Sequence, residues 1–238
     1  MSDSMTAIIT GAGSGVGRDT SLLLAEVGFN LVLVGRTGSK LQDTAEAVAD
    51  QSPKIETLIV TADLTDEDAP QTVIDKTLER LERIDALSNN AGAAVSQPIS
   101  QTDYKTWRQV IDVNLTAPIM LTSLALPVMQ KQKNGIIVNI SSMAAFDPFP
   151  GFGLYAPAKA GVNMFTLCTG REAKKIGVKA VAIAPGAIET PLLRSMFNEK
   201  MVPEDKSLDP MAVAAVIRDC VTGKRDFNNG ETIEMPSP

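Results

Sequence analysis

Histidine is absent from the 238-residue chain. Its absence removes the side chain most used for proton transfer near neutral pH and the commonest metal ligand. Serine triads, Cys-His pairs and histidine-based zinc sites are therefore excluded, and no metal centre is expected. Cysteine is scarce too: Cys168 and Cys220 have no partner at metal-site or redox spacing, so both read as reduced thiols, with a disulfide between them as the lesser alternative. No uninterrupted apolar run approaches the roughly 20 residues that cross a bilayer. Residues 1–5 carry neither the charged flank nor the apolar stretch of a secretory signal. A cytoplasmic protein with no membrane contact is expected. An excess of positive charge is also missing, because 22 Lys and Arg stand against 28 Asp and Glu, a net charge of −6. Binding nucleic acid through its phosphates requires clustered cations, so no nucleic-acid partner is expected.

What is present is an ordinary globular composition, 44% hydrophobic and 21% charged. Short β-branched runs at Thr6–Thr10, Asn30–Gly35, 54–61, 84–88, Gly135–Ile140 and 178–184 read as strands. Amphipathic stretches at 16–27, 41–49 and Ala69–Leu81 read as helices. In the first of these, Val16, Leu22, Leu23, Ala25 and Glu26 are expected to share one stripe. Strands without polar alternation are strands covered on both faces, so the alternation predicts a parallel sheet with helices on either side. With no linker, repeat or low-complexity block, residues 1–238 read as one doubly wound α/β domain of Rossmann type. Segments 144–154 and 190–209 are irregular and follow predicted strands, where open α/β sheets bind ligands; they are the expected walls of a substrate site.

The first strand runs into Thr10-Gly11-Ala12-Gly13-Ser14-Gly15-Val16-Gly17 and then a helix. Glycine lets such a turn bend sharply and approach a pyrophosphate, while helix N-terminal amides face the phosphate charge. Gly11, Ser14, Gly15, Val16 and Gly17 are the candidates; a glycine-rich turn with no ligand is the alternative. The spacing resembles the T-G-x-x-x-G-x-G turn of the classical short-chain dehydrogenases/reductases, and the resemblance extends over roughly residues 5 to 190. It implies a nicotinamide dinucleotide held in a groove. Asp63 and Leu64 would lie beside the adenine; a turn or helix-capping carboxylate is the other reading of Asp63. Asn89-Asn90-Ala91-Gly92 matches the family's N-N-A-G, placing Asn90, Ala91 and Gly92 along the groove. Pro185, Gly186 and Thr190 match P-G-x-x-x-T, with backbone contacts to the nicotinamide amide near Ile188 and a hydroxyl contact from Thr190.

Tyr155 and Lys159 are four apart and share a helix face. A fixed cation beside a phenol favours the phenolate, which suits a Tyr that exchanges a proton with a carbonyl or alcohol oxygen. A surface Tyr with a Lys one turn away is the plainer reading. The resemblance adds Ser142, thirteen residues earlier, as the donor that holds the substrate oxygen. Ser141 is the adjacent competitor, expected to face the other way. Asn114 matches the family's asparagine that holds a water linking Lys159 to solvent. Pro157 departs from the pattern and could delay the helix. The stretch Gly230 to Pro238 departs from the family's terminal strand, which in relatives helps build the oligomer. A homo-oligomer, dimer or tetramer, is still expected.

The second strand ends Val34-Gly35-Arg36. An acid there would suit the ribose of NAD, whereas arginine suits a 2′-phosphate, so NADP(H) is expected over NAD(H). Phe146, Phe149, Phe152, Leu154, Leu192, Leu193, Met196 and Phe197 would form an apolar pocket mouth with Arg194 its only cation, unless several simply pack the loops. The expected activity is interconversion of an apolar carbonyl and a secondary alcohol. A non-catalytic NADP sensor is the alternative from another class, and a lyase or epimerase the third.

Overall fold

The computed structural model describes residues 4–238. Seven parallel strands form one sheet: β1 (Thr6–Thr10), β2 (Asn30–Gly35), β3 (Thr57–Thr61), β4 (Ala86–Asn89), β5 (Gly135–Ile140), β6 (Val178–Pro185) and β7 (Thr232–Met235). Their order is β3-β2-β1-β4-β5-β6-β7. The direction of winding reverses between β1 and β4, so a crevice opens there at the carboxyl ends of the strands.

The helices are α1 (Gly15–Glu26), α2 (Gly38–Gln51), α3 (Ala69–Leu81), α4 (Tyr104–Ile111), α5 (Ala117–Gln132), α6 (Tyr155–Ala173), α7 (Pro191–Met196) and α8 (Pro210–Val221). They cover both faces and leave one apolar cluster on each. Val16, Leu24, Val213 and Ile217 from α1 and α8 pack against Ile9, Leu33 and Val181 on one side. Val73, Leu121, Ala125 and Met129 from α3 and α5 pack against Ile8, Leu87 and Ile137 on the other. With both faces buried, the strands need no polar alternation, which is why their sequences are continuous apolar runs.

The stripe on α1 differs from the expected one: Leu24 is fully buried, Leu22 only partly, and Glu26 faces solvent. β3 starts at Thr57 and not at residue 54, because Ile55 N–H closes a turn onto Ser52 O at 3.0 Å. The altered C-terminal stretch still forms a strand, β7, paired in parallel with β6. Pro157 is the third residue of α6, where no intrahelical N–H bond is lost, so Tyr155 begins the helix and Lys159 follows one turn later.

A π-helical turn, Asp112–Thr116, joins α4 to α5 into one continuous helix, Tyr104–Gln132, long and apolar enough to span a membrane by length and composition alone. Here its apolar side, with Leu121, Ala125 and Met129 fully buried, packs on the sheet. Cys168 and Cys220 are both free thiols, and burial pushes Cys220 up to about 11.

Candidate active site

At the switch point the backbone does most of the building. Gly11 and Gly15 have φ of +67° and +49°, the left-handed region that favours glycine. Gly17 is glycine for a different reason: a Cβ there would lie 2.3 Å from the Gly11 carbonyl oxygen and 2.5 Å from Asn90 Nδ2. The Thr10 hydroxyl accepts from both Asn90 and Ala91 N–H at 2.9 Å, and Asn90 Nδ2 donates to Thr10 O at 3.1 Å. The ends of β1 and β4 are thereby stitched together under the turn. Ser14 is the N-cap of α1, yet its hydroxyl makes no capping bond.

From this turn a cleft of about 310 Å³ runs along the carboxyl edge of the sheet. Gly11, Ser14, Gly15 and Val16 line one side, with Gly35, Arg36, Asp63 and Leu64 beyond them. Asn90, Ala91, Gly92, Pro185, Gly186, Ile188 and Thr190 form its middle, and Ser142, Tyr155 and Lys159 its far end. Of the cofactor-binding and catalytic candidates read from sequence, only Gly17 and Asn114 stand behind the wall, whereas of the expected apolar mouth only Leu192 lines the cleft. Asp63 keeps both of its readings, since it lines the cleft while its Oδ1 accepts from Thr65 N and Oγ1 at 3.0 and 2.9 Å. Thr190 caps α7, accepting from Leu193 N at 3.3 Å, and its Cγ2 sits 2.9 Å from where a Gly15 Cβ would be.

Sequence reading did not single out Thr10, Lys40, Gln109 or Val113. Lys40, Gln109 and Val113 line the cleft, and Lys40, on the first turn of α2, is a second exposed cation near Arg36. The available signal was spacing: a residue four beyond Arg36 on a helix starting at Gly38 returns toward the end of β2.

At the far end, Lys159 is 3% exposed and its Nζ donates to Ile140 O at 2.7 Å. Burial pulls its pKa down to about 8. Nζ lies 5.6 Å from the centre of the Tyr155 ring. Burial pushes the Tyr155 phenol above its ordinary value of 10.0, opposed by a hydrogen bond from Ser142. This corrects the expectation of a phenol acidified by its lysine: burial is the largest influence on the phenol and raises it, and burial disfavours the charged form of both groups. Ser141 is buried and donates to Lys159 O at 3.1 Å, so the serine against Tyr155 is Ser142.

Asn114 occupies the π-helical turn and is completely buried. Its Nδ2 donates to Ala93 O at 2.6 Å and Val110 O at 2.8 Å, while Oδ1 is buried without a partner. That oxygen lies 2.9 Å, and Lys159 Nζ 3.7 Å, from the point where a Gly92 Cβ would sit. A buried acceptor and an ammonium thus converge on one small space beside Gly92. The glycine turn at the N-terminus of α1, the uncommitted Ser14 hydroxyl and this orphaned acceptor fit a nicotinamide dinucleotide along the cleft.

The apolar mouth divides. Phe152, Leu154 and Leu193 are buried, whereas Phe146, Phe149 and Leu192 are exposed. Arg194 is committed elsewhere: its guanidinium grips the Glu189 carboxylate through Nε at 2.7 Å and through Nη2, and Nη1 donates to Val202 O at 2.8 Å. That grip holds Glu189 below the usual carboxylate range and raises Arg194.

A family model described as short chain dehydrogenase matches residues 5–201. An uncharacterized oxidoreductase of Staphylococcus saprophyticus is 36% identical over 209 residues, 87% of each chain. One of Staphylococcus aureus is 32% identical over 231 residues, 97% of this chain and 96% of its own. Among solved structures, levodione reductase superposes with a TM-score of 0.90 at 29% identity, over 98% of this chain and 96% of that one. A 3-ketoacyl-(acyl-carrier-protein) reductase from Brucella melitensis, complexed with NADH, shares the fold at a TM-score of 0.89 and 24% identity, over 97% and 96% of the two chains. The turn, the cleft and the Tyr155–Lys159 helix thus sit in a chain that belongs to the short-chain dehydrogenase family of oxidoreductases.

Proposed function

We propose that the protein is an NADP(H)-dependent oxidoreductase that interconverts a neutral, largely apolar carbonyl and its secondary alcohol, with Tyr155 as proton donor and acceptor. The observation that carries this reading is that Ser142, Tyr155 and Lys159 close the far end of the same cleft that begins at the glycine turn. A binding sensor needs only the turn; it has no use for a buried ammonium beside a half-buried phenol and hydroxyl at that end.

Bound there, the nicotinamide supplies or accepts hydride at the substrate carbon. The chain's own groups handle the oxygen. Ser142 Oγ and Tyr155 Oη would donate to the carbonyl oxygen, and Tyr155 gives up its proton as negative charge grows there. Lys159, beside the ring, stabilises the phenolate left behind. A water held by Asn114 Oδ1 next to Nζ would let the phenolate be reprotonated from solvent. In alcohol oxidation the same proton runs back from the hydroxyl to Tyr155.

The cofactor preference rests on Gly35, which offers no acid at the end of β2, and on Arg36 and Lys40, two exposed cations with no ion-pair partner among the described residues. A 2′-phosphate suits them better than a hydroxyl. The neutral substrate follows from Arg194, whose charge is spent on Glu189. Exposed Met120 and Met164, on α5 and α6, offer an apolar surface for a homo-oligomer, and the unpaired thiols suit a reducing cytoplasm. Loss of NADPH absorbance across a library of carbonyl compounds tests the reading. Turnover is expected with neutral ketones or aldehydes; turnover confined to anionic keto acids or sugars would overturn it.

A further inference from the structure

Apart from the two large clusters on the sheet faces, a third, small one lies over the reacting end. Its buried members are Ala144, Phe152 and Ala156, and Tyr155, Met196 and Phe197 pack against it. Three segments meet there: the loop after β5, the first turn of α6 and the end of α7. Phe152 is the common member. Its ring stands edge-on to Tyr155 with centroids 5.4 Å apart, edge-on to Phe149 at 6.1 Å, and tilted against Phe197 at 6.0 Å.

The backbone fixes Phe152 as firmly as the rings do. Gly151 turns at φ +95°, Phe152 N–H closes onto Phe149 O at 3.1 Å, and Phe152 O accepts from Ala156 N at 2.9 Å in the first turn of α6. Gly153 leaves no slack, since a Cβ there would lie 2.4 Å from Ile99 Cγ1. Phe152 is 7% exposed, so its ring is one of the surfaces that keep water from the phenol.

We infer that Phe152 is a positioning residue which holds the Tyr155 ring in its reacting orientation and couples it to α7, so that seating of Phe197 and desolvation of the phenol occur together. Aromatic edges suit this work, because they fix orientation without adding charge. The other groups facing Tyr155 are the Lys159 ammonium and the Ser142 hydroxyl; Ala144, Met196 and Phe197 from the packed segments do not titrate. The coupling makes the packing of the α7 end a control on proton transfer.

The kinetic part of this inference rests on the proposed oxidoreductase activity; the physical part does not. Tyr155 and Tyr104 are the only tyrosines, so in a Tyr104→Phe background phenolate absorbance reports Tyr155 alone. Ionisation of Tyr155 is expected to shift downward by about one pH unit in Phe152→Ala, as water reaches the ring, and to stay put in Phe152→Leu. Phe197→Ala, at the edge of the cluster, is expected to shift it in the same direction by less. In turnover, Phe152→Ala should lower kcat at least tenfold with NADPH affinity held within twofold, and Phe152→Leu should recover much of the loss. An unmoved titration in Phe197→Ala, or a Phe152→Leu enzyme as impaired as Phe152→Ala, would overturn the inference. Should no carbonyl be turned over by the parent enzyme, the titrations still decide it, and only the proposed reaction fails.

Discussion

The two ends of the cleft are built from opposite materials. At the glycine turn the work is done by missing side chains: Gly11 and Gly15 take up left-handed backbone, and Gly17 leaves room for Gly11 O and Asn90. At the reacting end the work is done by side chains held where they are least comfortable, a lysine 3% exposed and a phenol that burial keeps protonated. The first end is held by close backbone approach and by hydrogen bonds that tie Thr10 to Asn90 and Ala91 across the sheet. The second is strained electrostatically, and it holds because the sheet and α6 give Lys159 and Tyr155 no alternative. Binding should therefore be lost by adding atoms at one end, and chemistry by removing them at the other.

Tyr155→Phe tests that division most sharply. It deletes one oxygen and leaves the ring among Phe152, Phe197 and Ala156. Turnover should fall by roughly 10²- to 10⁴-fold, the usual worth of a positioned proton donor, while NADPH affinity changes by less than about twofold. Steady-state kinetics and a fluorescence titration read the two quantities separately. A parallel loss of affinity would show that the ends are not independent.

Gly17→Ala is the converse. One added methyl meets Gly11 O at 2.3 Å, and backbone there has little freedom to yield. Overpacking of this kind costs about 1–3 kcal/mol, and part of it should appear as weakened NADPH binding, because the turn itself must shift. Urea unfolding followed with and without NADPH measures both parts. Full stability together with full affinity would mean that the turn is softer than its contacts indicate.

The same contrast explains what could be read from the chain. β1, β2 and β5 begin and end where the apolar runs do, since a strand buried on both faces is written in consecutive residues. The glycine turn is equally local. The π-helical turn that aims Asn114 leaves no local signature, because its geometry depends on α5 packing against the sheet behind it. Nor does local sequence report that Arg194 is neutralised by Glu189, or that burial is the largest influence on the Tyr155 phenol. Motif spacing brought Ser142, Tyr155 and Lys159 to one place, and the charge states there had to come from the packing around them.

Lys159 supplies a stability test of that packing. Its pKa falls from 10.5 in the unfolded chain to about 8 in the folded one, so between these values the unfolded state binds more protons. Stability must then rise with pH across that window. From pH 7 to 9.5 the gain from Lys159 is about 2 kcal/mol, opposed in part by ionisation of the unfolded Cys220 thiol from about pH 9 and of the unfolded phenol above 10, and the comparison with a lysine variant isolates the Lys159 share. Lys159→Met should abolish turnover yet lack this pH-dependent gain. Identical pH dependence of unfolding in parent and variant would show that the ammonium is hydrated, against the burial seen here.

Arg36→Ala probes the outermost part of the binding end, and the smallest effect belongs there. The guanidinium is exposed, so water screens it, and Lys40 remains nearby to receive a 2′-phosphate. Loss of one charge-assisted contact under those conditions should weaken NADPH by about tenfold, roughly 1.4 kcal/mol, and leave NADH unchanged. Adding Lys40→Ala should weaken NADPH further, by less than the first step if the two cations share one phosphate. The effect should shrink as salt rises, because exposed charges are screened within about 10 Å at 0.1 M ionic strength. Equal losses for NADPH and NADH would place Arg36 against the shared part of the dinucleotide, and the preference for the phosphorylated cofactor would then have no basis in the end of β2.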